Sequence, residues 1–296
     1  MLADLDLLLI YVFCIADDLL PEKTFNHRRS LTDSEVVTLA VAQQIMGIPS
    51  DYRFIRTAIK QLRHLFPNLT KRSGYYKRRD QLSDTIEWLT GIFASNSPGW
   101  EDNVLLADST PVECARSKET VKRGGRSSLD DALGNAADYG YCASHSRLFY
   151  GFRLHTLSAL DGTPRMMFLT SPKENERDVC LRMLERVNRI GPLTIIADKG
   201  YAGREFQAAA ARLDTTVIRP RRKDEPGQGP HLAPIRQRVE SIFETFKDIL
   251  TLERHGARTL HGLRARIASR LLTIAAAISL NHLLGRPSRA IVDYTA

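Results

Sequence analysis

Apolar positions recur at helical spacing along the first hundred residues and are interrupted by clear stop signals. Thr32 and Glu35 have the spacing of a capping box and stand just before a hydrophobic run. Further helices are predicted from about Tyr52 to Phe66 and from Gln81 to Ala94. The pattern therefore predicts an all-α N-terminal domain over residues 1–100.

From Val104 onward the pattern changes to short apolar runs that are typical of strands. The Asp161-Gly162 pair between two such runs is a strong hairpin signal, so Asp161 is interpreted as a turn residue and not as a catalyst. The predicted elements are strands at 148–158, 164–170, 193–197 and 215–219, and helices at 174–190, at 204–213 and around Glu240. This order favours an α/β domain over residues 101–296, a mixed sheet with helices packed on it.

Three acidic residues stand where a metal-dependent phosphodiester enzyme needs them. Asp108 and Asp198 each end a strand-like run of four residues, which would present them at the C-terminal edge of a strand. Glu240 lies on a predicted helix. If these elements converge, the three carboxylates can hold two divalent cations, as DNA strand cleavage and joining require. Hard oxygen ligands suit magnesium or manganese, and the lack of grouped His and Cys argues against zinc.

Two basic residues flank the third acid along one helix face. Arg236 precedes Glu240 by four residues and Lys247 follows it by seven. A phosphate beside the metals would then meet a bidentate arginine and a lysine point charge. The alternative is an ordinary ion pair on a surface helix. Glu244 is the second candidate for the third acid, because only Glu240 has both cations at these spacings.

The net charge of +8 and the pI near 9.4 point toward a polyanionic partner, but many soluble proteins with no nucleic acid in their function are equally basic. Residues 71–79 are basic with two tyrosines, and could contact phosphates and stack on bases or form a solvated turn. Residues 116–147 are interpreted mostly as a mobile loop. The loop's candidate DNA contacts are Arg116, Lys118, Lys122, Arg123 and Arg126.

Two further candidate DNA contacts directly follow the second acid. Lys199 and Tyr201 could touch a DNA backbone, and Gly200 between them would permit a tight turn. His155 lies on a predicted strand, where it could face the metal site or the polar side of the sheet. A lone histidine on a strand is more often structural.

These segments carry a resemblance to a known family. The runs Asp108-Ser-Thr, Asp198-Lys-Gly-Tyr and Arg236-x3-Glu240-x6-Lys247 resemble those of bacterial DDE insertion-sequence transposases. The resemblance implies a ribonuclease-H-like catalytic domain with a C-terminal helical extension, in which the three acids bind two Mg²⁺ ions and Mn²⁺ can substitute.

The same resemblance implies the reaction and the partners. Such an enzyme cleaves the ends of an insertion sequence and joins the 3′ hydroxyls to target DNA. The partners would be double-stranded terminal inverted repeats, bound with the help of the helical domain, and target DNA. A homodimer or larger assembly on DNA is expected, because two ends must be paired. Many relatives carry a tyrosine three residues before the arginine, where this chain has Ala233.

Three other functions remain open from the residues. A host-adopted nuclease with the same metal chemistry would cleave strands without joining them. A non-catalytic DNA-binding descendant would have lost its ligands, yet all three acids are present. A glycosidase also uses paired carboxylates, but the cations beside Glu240 and the sparse aromatics favour DNA.

Composition indicates a cytoplasmic protein. Cys14, Cys114, Cys142 and Cys180 are scattered and are interpreted as reduced thiols. The apolar runs Leu5 to Ala16 and Leu271 to Leu284 are too short to cross a bilayer. We therefore expect no membrane partner and a bacterial, nucleoid-associated location.

Overall fold

The computed structural model of the chain divides into two compact units. A helical unit combines Met1–Ser97 with Thr245–Ala296, and a sheet unit comprises Pro98–Glu244. The sequence prediction placed a domain boundary at residue 100. The C-terminal helices, predicted as an extension of the catalytic domain, instead pack within the helical unit. The described residues are 2–21, 30–71, 74–115, 132–134, 136–142, 146–221, 232, 235, 237, 241–242 and 244–295.

The helical unit is organised around its last long helix. Its described helices are α1 (Leu2–Leu19), α2 (Asp33–Ile45), α3 (Asp51–Gln61), α4 (Tyr75–Gln81), α5 (Ser83–Ser95) and α8 (Leu260–Leu283). Helix α8 contacts α1, α2, α4 and α5 and is buried from Leu271 to Asn281, which explains its apolar sequence. Among the described residues, no helix combines the length and apolar character needed to span a membrane.

Local capping signals fix where these helices begin. The side chain of Thr32 accepts the N–H of Glu35 at 3.0 Å, and the Glu35 carboxylate accepts the N–H of Thr32 at 2.6 Å. This confirms the predicted capping box at the start of α2. Thr259 caps α8 in a similar way, because its hydroxyl accepts the N–H of Gly262 at 3.1 Å. These backbone N–H groups therefore have hydrogen-bond partners within their own segment and do not need tertiary contacts to satisfy them.

A charged network is buried in the helical unit around Asp51. One carboxylate oxygen lies 2.8 Å from Nη1 of Arg79, and the other lies 2.6 Å from Nη2 of Arg266. Gln43 donates to Asp51 at 3.0 Å and accepts from both Arg79 at 3.1 Å and Tyr75 at 2.8 Å. Burial opposes ionisation of Asp51, but the two guanidinium groups outweigh it and hold the carboxyl pKa below its usual value. Asp51 is thus the shared counter-charge of two arginines.

The sheet unit is a mixed sheet with helices on it. Its described elements are β1 (Val104–Ala115), β2 (Asp138–Cys142), β3 (Arg147–Ala159), β4 (Pro164–Thr170), α6 (Glu176–Leu184), β5 (Leu193–Ile196), α7 (Arg204–Arg212) and β6 (Thr215–Ile218). The strand order is β2-β3-β1-β5-β6, and β4 also pairs with β3. Strand β1 is antiparallel to β3 and parallel to β5, which is parallel to β6. The predicted α/β class, a mixed sheet with helices packed on it, is confirmed, and its ribonuclease-H-like character stays a prediction.

The core of the sheet unit lies between the sheet and helices α6 and α7. Alternate strand residues such as Leu105, Leu157 and Ile195 pack against Met183 of α6 and Phe206 of α7. This alternation follows from the period of two along a strand. The residues between them, which include positions 106, 108, 196 and 198, do not belong to this core and fall on the other face of the sheet.

The hairpin formed by β3 and β4 confirms the sequence prediction. Gly162 has a φ of 96°, and the turn is closed by the N–H of Ala159 donating to Thr163 at 2.9 Å. The carboxylate of Asp161 accepts the N–H of Thr163 at 2.8 Å and that of Gly99 at 3.0 Å. Asp161 is therefore a turn residue, as predicted.

Strand β1 is longer than predicted. The sequence placed Asp108 at the end of its strand, but β1 continues to Ala115 by pairing with β3. That prediction is wrong, because only the parallel pairing with β5 stops early, at Leu106 and Ile196. Strand β2 was also missed, since it lies in the stretch interpreted mostly as a loop.

Candidate active site

Asp108 and Asp198 each lie two residues beyond the last register pair of two neighbouring parallel strands. Leu106 of β1 and Ile196 of β5 are register partners, and each aspartate comes two residues later. Neighbouring strands are about 4.8 Å apart, and residues two apart share a face. Both predicted acids therefore follow the parallel pairing at the same end of these strands, and their joint metal site stays a prediction.

Backbone N–H groups orient both carboxylates. Oδ1 of Asp108 accepts the N–H of Ser109 at 2.7 Å, and Oδ1 of Asp198 accepts the N–H of Gly200 at 2.7 Å. A Cβ atom on Gly200 would lie 2.9 Å from Oδ1 of Asp198, so a larger residue would displace this carboxylate. Asp108 is half-buried and Asp198 is exposed. One acid is thus anchored in the sheet while the other faces solvent.

Tyr201 lies beneath this pair and does not reach the surface. Its side chain is 1% exposed and its ring centroid is 5.9 Å from that of Phe206. Burial raises the pKa of the phenol, and the charges of Asp108 and Asp198 raise it further. The predicted DNA contact by Tyr201 does not fit this burial, because the residue belongs to the core. Lys199 is exposed, and its contact with DNA stays a prediction.

Arg153 and Glu176 form an ion pair that the sequence analysis missed. Oε1 of Glu176 also accepts the hydroxyl of Ser109 at 3.0 Å, and Nη1 of Arg153 lies 3.4 Å from the same hydroxyl. Oε2 of Glu176 would be 3.6 Å from a Cβ atom on Gly200. The pair therefore links β1, β3 and α6 beside the residues that follow the two aspartates. The available signal was a single arginine, Arg153, between Phe152 and Leu154 in an otherwise buried stretch of β3.

Several predicted site residues lie outside the described residues. These are Glu240, Arg236, Arg116, Lys118, Lys122, Arg123 and Arg126, and the side chain of Lys247 is likewise not described. Glu244 is described and exposed. Within the described ranges, no three His, Cys, Asp or Glu side chains form a metal-holding group. The roles of these residues stay predictions.

Residues 99–276 match the family model of the transposase DDE domain. The match covers more than half of the chain and includes both Asp108 and Asp198. The chain belongs to the transposase DDE domain family. Its DDE domain runs through the sheet unit and into α8.

Membership confirms the resemblance and the DNA transposase function. Such transposases cleave and transfer DNA strands and generally use divalent metal ions. Among curated proteins, no significant match was found. The crystal structure of a pre-cleavage Mos1 transpososome is similar at 12% identity, with 88% of this chain and 82% of that chain covered and a TM-score of 0.23. The family assignment does not depend on this likeness, because such a TM-score does not establish a shared fold.

His155 is a buried structural residue of the DDE domain. Its Nε2 lies 3.1 Å from the hydroxyl of Thr170 on β4, and its side chain has no exposed surface. Burial, followed by the charges of Arg153 and Arg182, lowers the pKa of the imidazole to about 4. The ring is therefore neutral at pH 7, which favours the structural interpretation over a role at the metals.

We expect the stability of the DDE domain to depend on His155 between pH 4 and 6.5. The unfolded histidine takes up a proton in this range while the folded one does not, so the free energy of unfolding rises with pH through the window and levels off above it. The difference is on the order of 3 kcal/mol. Urea unfolding followed by Trp100 fluorescence, in a Trp88→Phe background, measures it. A His155→Gln variant should lose this slope, and an unchanged slope would contradict the assignment.

The Glu176→Ala variant should destabilise the DDE domain by about 1.5 kcal/mol, since hydrogen bonds to charged groups contribute this much. The change leaves Arg153 and Ser109 without their shared acceptor. The same Trp100 reporter measures the effect. Glu185→Ala, at the exposed end of the same helix, is the matched control and should stay within about 0.5 kcal/mol of wild type. Equal effects of the two variants would argue against the proposal that Glu176 stabilises the domain by linking β1, β3 and α6.

Proposed function

We propose that this transposase cleaves the ends of an insertion sequence and joins the freed 3′ hydroxyls to target DNA. In this proposal Asp108, Asp198 and Glu240 hold two Mg²⁺ ions, for which Mn²⁺ can substitute. The observation that supports it is that Asp108 and Asp198 each follow by two residues the register partners Leu106 and Ile196 of neighbouring parallel strands.

The donor set fits such ions. Both described ligands are carboxylates, the hard oxygen donors that magnesium prefers. Each has one oxygen fixed by a backbone N–H at 2.7 Å, so its orientation is set before any ion binds. When bound, two divalent ions would activate the attacking oxygen and stabilise the leaving oxygen of the phosphodiester.

The surrounding residues would then hold and orient the DNA. The exposed Lys199 stands next to Asp198, where it can contact a phosphate. Arg236 and Lys247 are proposed to contact the scissile region from the helix that carries Glu240. The loop residues Arg116, Lys122 and Arg123 are proposed to hold the DNA end. The Arg153 and Glu176 pair would maintain the backbone geometry next to both aspartates.

Two further parts of the proposal concern assembly. The helical unit is proposed to bind the terminal inverted repeats. A homodimer or larger complex on double-stranded DNA is proposed, because paired ends must be joined to one target.

The test is a cleavage and joining assay on DNA from the element itself. Sequencing on both sides of the gene identifies terminal inverted repeats, and labelled duplexes with these ends are incubated with protein, a target plasmid and Mg²⁺, Mn²⁺ or EDTA. We expect nicked ends and joined products with either metal and neither with EDTA. Cleavage without joining would support a host-adopted nuclease. Binding without cleavage would support a non-catalytic descendant.

A further inference from the structure

A cavity of about 550 Å³ opens in the helical unit, between α3 and α4. This volume lies within the range of about 300–1,000 Å³ that is usual for sites that bind small molecules. Its lining combines aromatic rings and basic side chains, among them Tyr52, Arg56, Lys71, Tyr75, Tyr76 and Lys77.

The inner wall of the cavity is held by the buried charged network. Tyr75 is 1% exposed and its hydroxyl donates to Gln43 at 2.8 Å. Asp51 also lines the cavity, but its charge is offset by Arg79 and Arg266, at 2.8 and 2.6 Å. The wall is therefore pre-formed and does not present an uncompensated negative charge to an anion.

The outer wall of the cavity carries two large aromatic side chains that are exposed to solvent. Tyr52 is 70% exposed and Tyr76 is 48% exposed. The guanidinium of Arg56 lies 5.5 Å from the ring centroid of Tyr52, and Nη1 donates to its hydroxyl at 3.0 Å. Exposed aromatic faces beside cations are the features on which nucleic-acid bases stack.

Three cations surround the same opening. Within the described residues, Arg56, Lys71 and Lys77 have no carboxylate at ion-pair distance, so their charges are available to a ligand. Cations of this kind bind phosphate groups. Phosphate-binding cations and base-stacking rings at one opening together match a nucleotide.

We propose that this cavity binds an unpaired nucleotide of DNA, with the base against Tyr52 and Tyr76 and the phosphate near Arg56, Lys71 and Lys77. An intact duplex keeps the faces of its bases stacked and offers a protein only its backbone and the base edges in its grooves, so it cannot stack a base on these aromatic walls. A strand end or an extruded base can. This inference rests on the proposed function. It assigns to the helical unit the binding of an unpaired nucleotide at a DNA end.

The test compares two labelled duplexes that differ only in a short single-stranded overhang. Binding to the full-length protein is measured by fluorescence anisotropy in EDTA, where no strand is cut. We expect the overhang duplex to bind more tightly than the blunt one. The double variant Tyr52→Ala/Tyr76→Ala should weaken overhang binding about ten-fold while leaving blunt binding unchanged. Trp88→Ala removes an aromatic that is 48% exposed on α5 and outside the cavity, and should change neither.

Charge is tested separately through salt dependence. Lys77→Ala should reduce the slope of affinity against salt for the overhang duplex by about one. Arg63→Ala, which removes an exposed charge just beyond α3 and outside the cavity, should leave the extra affinity of the overhang intact. Equal effects of the two variants on the overhang preference would overturn the phosphate assignment.

Each outcome separates this inference from the proposed function. If wild type binds neither duplex, the proposed function fails and the inference with it. If wild type binds both duplexes but the double tyrosine variant keeps the preference for the overhang duplex, only the inference is overturned. Competition by free deoxyadenosine monophosphate as strong as that by the overhang duplex would identify a free nucleotide as the ligand, and would overturn the assignment to DNA.

Discussion

Replacing Asp108 or Asp198 with asparagine is expected to lower both strand cleavage and joining by about 10³-fold or more, while DNA binding is retained. The amide removes the charge that a divalent ion needs, and the loss of such transition-state stabilisation amounts to several kcal/mol. The fold should survive, because the asparagine carbonyl can still accept the N–H of Ser109 or Gly200. Initial rates on labelled DNA ends, together with anisotropy in EDTA, measure the two properties separately.

The matched control for this experiment is Asp214→Asn. Asp214 is exposed and immediately precedes β6, at the opposite end of the parallel strands from Asp198. Its φ of 47° is a left-handed conformation that asparagine also adopts readily. The same chemical change should therefore leave cleavage near the wild-type rate. Retained cleavage by Asp108→Asn or Asp198→Asn would remove that residue from the proposed metal site.

Asp51→Asn should destabilise the helical unit by about 3 kcal/mol, because Arg266 loses the carboxylate at 2.6 Å and Arg79 keeps only its ion pair with Asp80 at 2.8 Å. Arg79 is 1% exposed and Arg266 is 8% exposed, so water cannot replace the lost carboxylate. Chemical denaturation followed by far-UV circular dichroism measures the effect. Asp18→Asn, an exposed change in the last turn of α1, is the control and should have an effect below about 0.5 kcal/mol.

Acidification provides a second measurement on Asp51. Its pKa is held below the usual value, so its stabilising effect is present above about pH 3.9 and is lost as pH falls through the folded-state pKa. The difference between wild type and Asp51→Asn should therefore shrink at low pH. A difference that stays constant on acidification would mean that packing, and not charge, causes the loss.

The features that sequence predicted well have local causes. The capping box of α2 depends on two residues three apart, and the turn at Asp161 and Gly162 on a dipeptide. Asp108 and Asp198 were found because each follows an apolar run short enough to be a strand. Their alignment depends on the parallel register of β1 and β5, which no local pattern specifies.

The features that sequence missed depend on distant partners. Pro111 argues against a long β1, because proline lacks the N–H that a central strand needs. It is tolerated there because the described pairing of β1 with β5 has already ended, while pairing with β3 continues through Arg153. The ion pair of Arg153 with Glu176 forms only when β3 and α6 are both in place. Such contacts cannot be read from spacing along the chain.

Helix α8 has a consequence for synthesis of the protein. It packs against α1, α2, α4 and α5, and it supplies Arg266 to the carboxylate of Asp51, yet it is translated after the whole sheet unit. A nascent chain that has emerged as far as residue 97 therefore lacks both the central core helix and one counter-charge of the buried network. The helical unit cannot complete its core until α8 has been synthesised, so a chain terminated before α8 is left with an apolar surface open to aggregation and proteolysis.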